Sequence, residues 1–89
     1  MSLPLEIAVQ PTPNPNAMKL SLNRILTTEG KTYRDRAAAD APWAKAMLGI
    51  SGVVGLYAVN NFISINKTPE ADWQAILPEA EAILKRELP

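Results

Sequence analysis

The chain has 89 residues, 47% of them apolar, with nine basic and nine acidic side chains, no cysteine and no histidine. A single domain of this length buries only roughly 60–65% of the surface its unfolded chain exposes, so the core is modest and a large enclosed active site is not expected. Without Cys there is no disulfide, no thiolate nucleophile and no thiolate ligand for a metal centre, and without His the usual acid–base group near neutral pH is missing.

Leu3, Leu5, Ile7 and Val9 alternate with Pro4, Glu6, Ala8 and Gln10, a period of two that predicts a first strand with one buried face. Thr12-Pro13-Asn14-Pro15-Asn16 follow. Each proline fixes its own φ and pushes the residue before it toward extended geometry, while each asparagine bonds to nearby backbone and tolerates positive φ. The segment is therefore expected to be a stiff loop with its polar side chains facing outward. Met18, Leu20 and Leu22 alternate with Lys19, Ser21 and Asn23 and predict a second one-sided strand. From Ile25 to Arg36 the pattern is weak: Gly30 marks a turn, and Lys31 to Arg34 make a short strand carrying Tyr33 inward. Beyond the alanine-rich Ala37–Ala41, Pro42 suits a first helical position with Asp40 or Ala41 as the cap. Trp43, Ala46, Met47 and Ile50 recur at helical spacing, and Gly49 or Gly52 supplies the stop, giving a helix over 42–49.

Val53–Val59 and Phe62–Asn66 flank Asn60-Asn61, two residues suited to the left-handed geometry of a tight hairpin. Val54, Leu56 and Ala58 are expected on one face, with Ile63 and Ile65 on the core side and Ser64 and Asn66 outside. Thr68 as cap and Pro69 at the first position then predict a last helix. Its apolar stripe is Trp73, Ile76, Leu77, Ala80, Ile83, Leu84 and Leu88. Pro78 interrupts it at a cost of about 3 kcal/mol, so a kink near Gln74–Leu77 is expected. The whole is a single α+β domain over residues 1–89: an antiparallel sheet of four to five strands with two helices on one face, in the order β-β-(β)-α-β-β-α.

Chemistry is sparse. The carboxylates Glu6, Glu29, Asp35, Asp40, Glu70, Asp72, Glu79, Glu81 and Glu87 show no pairing beyond helical spacing, and no base, nucleophile and oxyanion set forms around Lys19 or Tyr57. The chain is not expected to be an enzyme. Trp43, Trp73, Met18 and Met47 are expected in the core. Arg24, Lys31, Arg34 and Arg36 form a basic region, either a solvated face or a match for an acidic patch on a partner. Balanced charge without single-sign blocks gives no sign of nucleic acid or an anionic membrane as partner, and with neither a twenty-residue apolar run nor a basic-then-apolar leader the expected location is cytoplasmic.

The segment TPNPNAMKL, the later APWAKAMLGISGV and LYAVNNFISINK, and a tryptophan opening the last helix together resemble the N-terminal domain of the Nfu iron–sulfur scaffold proteins, over Leu5 to Leu88. The most specific part is Thr12-Pro13-Asn14-Pro15-Asn16 with Lys19. The chain departs from that pattern at Ala41, where the family usually has a capping serine, and at Asn60-Asn61, where the family hairpin usually carries Gly and Asp. In the longer members a second domain carries the cluster on a Cys-x-x-Cys pair. The resemblance implies an accessory or interaction module in cluster assembly or delivery, with a cluster scaffold or client apoprotein as partner and Thr12, Pro13, Asn14, Pro15, Asn16 and Lys19 as the binding residues. No cofactor is expected through cysteine. The alternatives are weak iron binding on oxygen ligands, though no convergent ligand set is visible, and a small protein-interaction domain unrelated to cluster assembly; oligomeric state stays open. From sequence alone the TPNPN segment is either a rigid connector or a recognition loop, and its Asn14→Ala/Asn16→Ala variant is expected to stay within about 1 kcal/mol of the parent.

Overall fold

The computed structural model describes residues 5–88. Two hairpins build most of its sheet: β1 (Ile7–Pro11) with β2 (Ala17–Leu22), and β4 (Val53–Asn60) with β5 (Phe62–Lys67). β3 (Thr27–Tyr33) lies at one edge, α1 (Pro42–Leu48) follows a 3-10 turn at Arg36–Ala38, and α2 (Trp73–Glu87) is the last element among the described residues. The strand order is β1-β2-β5-β4-β3 with every neighbouring pair antiparallel, so the expected α+β architecture is present with five strands. Leu3 of the expected first strand lies outside the described residues; Leu5 is buried, and Ile7 and Val9 pair with Leu22 and Leu20.

The inner face of the sheet carries Leu20, Leu22, Leu56, Ala58, Ile63 and Ile65, and the helices cover it with Trp43, Ala44, Met47, Ile76, Ala80 and Leu84. Fully burying a side chain of the Leu, Ile or Met type contributes about 1.5–3 kcal/mol relative to leaving it exposed, and Leu20, Met47, Leu56, Ile63, Ile65, Ile76 and Leu84 are all in that state. Trp43 meets Tyr33 edge-on, with ring centroids 5.6 Å apart. α2 is fastened at both ends of β2: the Trp73 indole donates to the Pro15 carbonyl at 3.0 Å, and Arg24 donates to the Leu88 carbonyl at 3.2 Å.

The Asn60-Asn61 turn forms as expected, closed by the Val59–Phe62 pair, with Asn60 at φ 54°. It also holds the crossing from β2 to β3. Asn61 accepts from Leu22 N–H and Asn60 from Leu26 N–H, each at 2.7 Å, while Asn61 Nδ2 donates to the Leu22 carbonyl at 3.0 Å.

Three local expectations are corrected. The third strand begins at Thr27 and continues past Gly30, where the sequence predicts a turn, with its register against β4 shifting between Thr27 and Lys31; a Cβ at Gly30 would run into the Tyr57 hydroxyl of the neighbouring strand. Tyr33 is buried as expected. Val54 is 50% exposed while Val53 is buried, because a β-bulge between Val53 and Gly55 inserts one extra residue and reverses the alternation. Thr68-Pro69 makes a turn closed by Ala71 N–H to the Thr68 carbonyl; α2 starts four residues later, where Asp72 accepts from Gln74 N–H. Of the two expected cap positions for α1, Ala41 is the one observed, without any side-chain bond, since the Asp40 carboxylate is turned away to Lys31 and Tyr33. Of the two candidate stops for α1, Gly49 is the C-cap in right-handed geometry and Gly52 takes φ 94°. α2 is continuous through Pro78.

Candidate functional site

The loop joining β1 to β2 is set by its own side chains. The Thr12 hydroxyl accepts from Asn14 N–H at 3.2 Å and lies 2.9 and 3.0 Å from the Asn14 and Ala17 carbonyl oxygens, to which it donates. Asn14 Oδ1 accepts from Asn16 N–H at 2.9 Å, and the Asn14 carbonyl accepts from Ala17 N–H at 3.0 Å, closing a turn with Pro15 at its second position. Both prolines lie where a missing N–H leaves no gap in this pattern.

The loop is then tied to the second half of the chain. The Asn16 carbonyl accepts from Lys67 N–H at 2.9 Å, and Asn16 Oδ1 accepts from Lys67 Nζ at 3.1 Å. Lys67 is only 9% exposed, because it continues the inward parity of Ile63 and Ile65. Its ammonium also donates to the Thr68 carbonyl at 3.2 Å and stands 5.6 Å from the centre of the Trp73 ring. A buried ammonium held by two oxygens and an aromatic face fixes the loop against the start of α2.

This geometry corrects the expectation that the loop's polar side chains face outward. Thr12 and the carbonyl groups of Asn14 and Asn16 serve the loop and Lys67, and the exposed crest consists of Pro13, Asn14 and Pro15. The Asn14 amide nitrogen donates to no described residue. Lys19 projects on the open face of the sheet, its Nζ 4.5 Å over the Phe62 ring, in a cross-strand row of Gln10, Lys19, Ser64, Tyr57 and Thr32. Thr12 to Asn16 are thus one unit, and Lys19 stands beside it on β2. Lys67 and Trp73 were the anchors that pattern reading missed. Lys67 had a signal, its place two residues beyond Ile65 on the core parity, whereas the hydrogen bond from Trp73 to Pro15 spans 58 positions and leaves no trace in local pattern.

The basic region between residues 24 and 36 does not act as a unit. Lys31 closes on Asp40 at 3.0 Å, with the Tyr33 hydroxyl donating to the same carboxylate at 2.9 Å. Lys31, then Tyr33, hold the Asp40 carboxyl below its ordinary range; the bond to Asp40 raises Lys31, and burial followed by Asp40 raises Tyr33. Arg34 lies along Gly55, and Arg36 lies over the end of α1. Among the described residues no three carboxylates gather as a metal-holding group, and the chain has no cysteine, so the side chains present do not fit an iron–sulfur cluster.

An antiparallel sheet backed on one face by two helices, with a proline–asparagine loop locked to the second helix, defines a small α+β module. Residues 7–89 match the family model described as "Scaffold protein Nfu/NifU N terminal", and the chain belongs to that family. Among relatives, "Conserved virulence factor C" of Staphylococcus aureus is 35% identical over 79 residues, which is 85% of this chain and 21% of the relative. The chain therefore spans about a fifth of that relative's length. The crystal structure of protein SAV1430 from S. aureus superposes with a TM-score of 0.81 at 30% identity, over 89% of this chain and 98% of the other. A NifU-like protein from Saccharomyces cerevisiae gives a TM-score of 0.84 at 25% identity, over 94% and 78%.

Proposed function

We propose that this domain is a non-catalytic docking module in iron–sulfur cluster assembly or delivery, recognising a cluster carrier or a client apoprotein through Thr12–Asn16 and Lys19. Family membership supports the pathway, and one observation carries the docking role. The loop is fixed by its own hydrogen bonds and by Lys67 and Trp73, while Pro13, Asn14 and Pro15 remain exposed at its crest. A surface ordered in advance loses little entropy on binding. The cluster itself stays with the cysteine-bearing partner, because this chain offers no thiolate. The reading places the protein in the cytoplasm; among the described residues no helix is long and apolar enough to cross a membrane.

The test is an amide NMR titration of the labelled protein with a cysteine-bearing Nfu-type cluster domain, in apo and cluster-loaded forms, and separately with ferrous iron. Shifts concentrated at Thr12–Lys19 with the protein partner are expected. Asn14→Asp keeps the acceptor for Asn16 N–H but replaces the outward amide, and should weaken binding without disturbing the loop. Shifts near carboxylates with iron alone, and none with the partner, would overturn the proposal in favour of iron handling.

A further inference from the structure

Of the basic residues grouped by the sequence, Arg36 lines a concave surface. It stands in the lining of a groove of about 450 Å³ between α1 and α2, floored by Ala46, Ile50, Ala82 and Ile83 and joined by Arg86 from α2. Small side chains keep the floor low. The Arg36 guanidinium lies across the end of α1 beside Gly49, where a Cβ would stand in ordinary contact at 3.6 Å from Arg36 Cζ. The last carbonyls of a helix carry partial negative charge, which holds a cation in that position without a carboxylate. Among the described residues Arg36 makes no ion pair, and Arg86 pairs with Glu87 at 3.5 Å, the arginine side chain 65% and the glutamate side chain 26% exposed. Such a surface pair is weak and easily exchanged.

We propose that this groove, separate from the loop between β1 and β2, binds an acidic segment of a partner protein. One apolar side chain seats on Ile50 and Ile83, and a carboxylate is taken by Arg36 and Arg86. Charge decides the occupant. Two arginines against one glutamate, Glu79, leave the lining at net +1; Glu87, outside the lining, offsets Arg86 only until a ligand carboxylate replaces it, and Arg36 has no such partner among the described residues. A basic segment would meet both guanidinium groups, and an uncharged one would cover them without a counter-charge. Arginine suits the task because its planar fork takes a carboxylate through two parallel hydrogen bonds. Glu79 lies seven residues before Arg86, about 10 Å along the helix, so it disfavours a second acid at that end. The motif is thus an apolar anchor beside a single carboxylate, not an acidic run. The volume lies within the roughly 300–1,000 Å³ of small-ligand pockets, enough for one anchor and its neighbours.

The experiment is an amide NMR titration with the capped tetrapeptide Ser-Leu-Glu-Ser and its Gln and Lys counterparts. The Glu peptide should shift the amides of Ala46, Gly49, Ile50, Ala82 and Ile83 and bind about threefold or more tighter than the Gln peptide. Added salt should erode that advantage. Arg36→Gln with Arg86→Gln should abolish the preference while leaving amide positions elsewhere unchanged, since both side chains are exposed. Groove amides unmoved at millimolar peptide, or equal binding of the Gln or Lys peptide, would overturn the proposal. Because its signals lie on α1 and α2, its failure is distinguishable from failure at Thr12–Lys19.

Discussion

Replacing Asn16 by Ala removes the side-chain oxygen that accepts from Lys67 Nζ at 3.1 Å, beneath a lysine that is only 9% exposed. A hydrogen bond to a charged group contributes about 1.5–3 kcal/mol, and truncating one partner leaves the other desolvated. The Thr68 carbonyl and the Trp73 ring still face the ammonium, so the expected loss is in the lower half of that range, about 2 kcal/mol. For a domain of this size that lowers the thermal midpoint by about 10 °C. This exceeds the expectation, drawn from the loop as an outward-facing segment, that alanines at Asn14 and Asn16 together cost no more than about 1 kcal/mol. Lys67→Met keeps the apolar stem and deletes the charge. In that background Asn16→Ala should cost about 1 kcal/mol or less, because no buried ammonium is left without its acceptor. Urea and thermal unfolding of the four proteins of this cycle, followed by circular dichroism, give the coupling directly. An Asn16→Ala loss under about 0.5 kcal/mol, or the same loss in both backgrounds, would refute the latch.

Gly52 sits at φ 94° with Ala71 against the place of its missing Cβ, so Gly52→Ala should destabilise by about 2–4 kcal/mol, measurable by urea unfolding. Asp40, held below its ordinary carboxylate range by Lys31 and then Tyr33, contributes stability that is present above that range and is lost as pH falls through its lowered folded value. The raised values of Lys31 and Tyr33 act at the other end: their contributions are present below the ordinary lysine and tyrosine values and are lost as pH rises through the raised ones. Thermal midpoints across pH should therefore show the parent more stable than Asp40→Asn at neutral pH and level with it in strong acid; a gap that persists there would contradict the assignment. Pro78 is exposed inside α2, and Pro78→Ala restores an N–H for the Gln74 carbonyl, so the variant should be more stable by about 1–3 kcal/mol. A lowered midpoint would show that the ring contributes packing that outweighs the missing bond.

What could be read from the sequence was what depends on neighbours along the chain. Alternation at Met18, Leu20 and Leu22 placed β2, and Asn60-Asn61 placed the turn of the central hairpin, whose two strands each run one residue beyond Val59 and Asn66. β3 was harder because Thr27-Thr28-Glu29-Gly30-Lys31-Thr32 is polar and lies at a sheet edge, where only Tyr33 is buried. Two helix-start signals compete between Thr68 and Asp72, and local propensity does not rank them; the turn at Thr68-Pro69 lets Asp72 reach Gln74 N–H. The bulge at Val54 changes parity without a glycine or proline at the inserted position. At the loop, the expected bonding of asparagine to nearby backbone is present, Asn14 Oδ1 accepting from Asn16 N–H. The inward direction of Asn16 was illegible, because its partner Lys67 is 51 residues away.

The bond from the Trp73 indole to the Pro15 carbonyl makes the chromophore an optical gauge of the loop. Indole emission responds to a donated proton and to a nearby cation, and Trp73 has both, since the Lys67 ammonium stands 5.6 Å from its ring. Trp43, the other tryptophan, is buried and set edge-on to Tyr33 of the opposite edge strand, so the two indoles occupy different surroundings. Anything that tugs on Pro15 therefore announces itself in the light the native protein already emits.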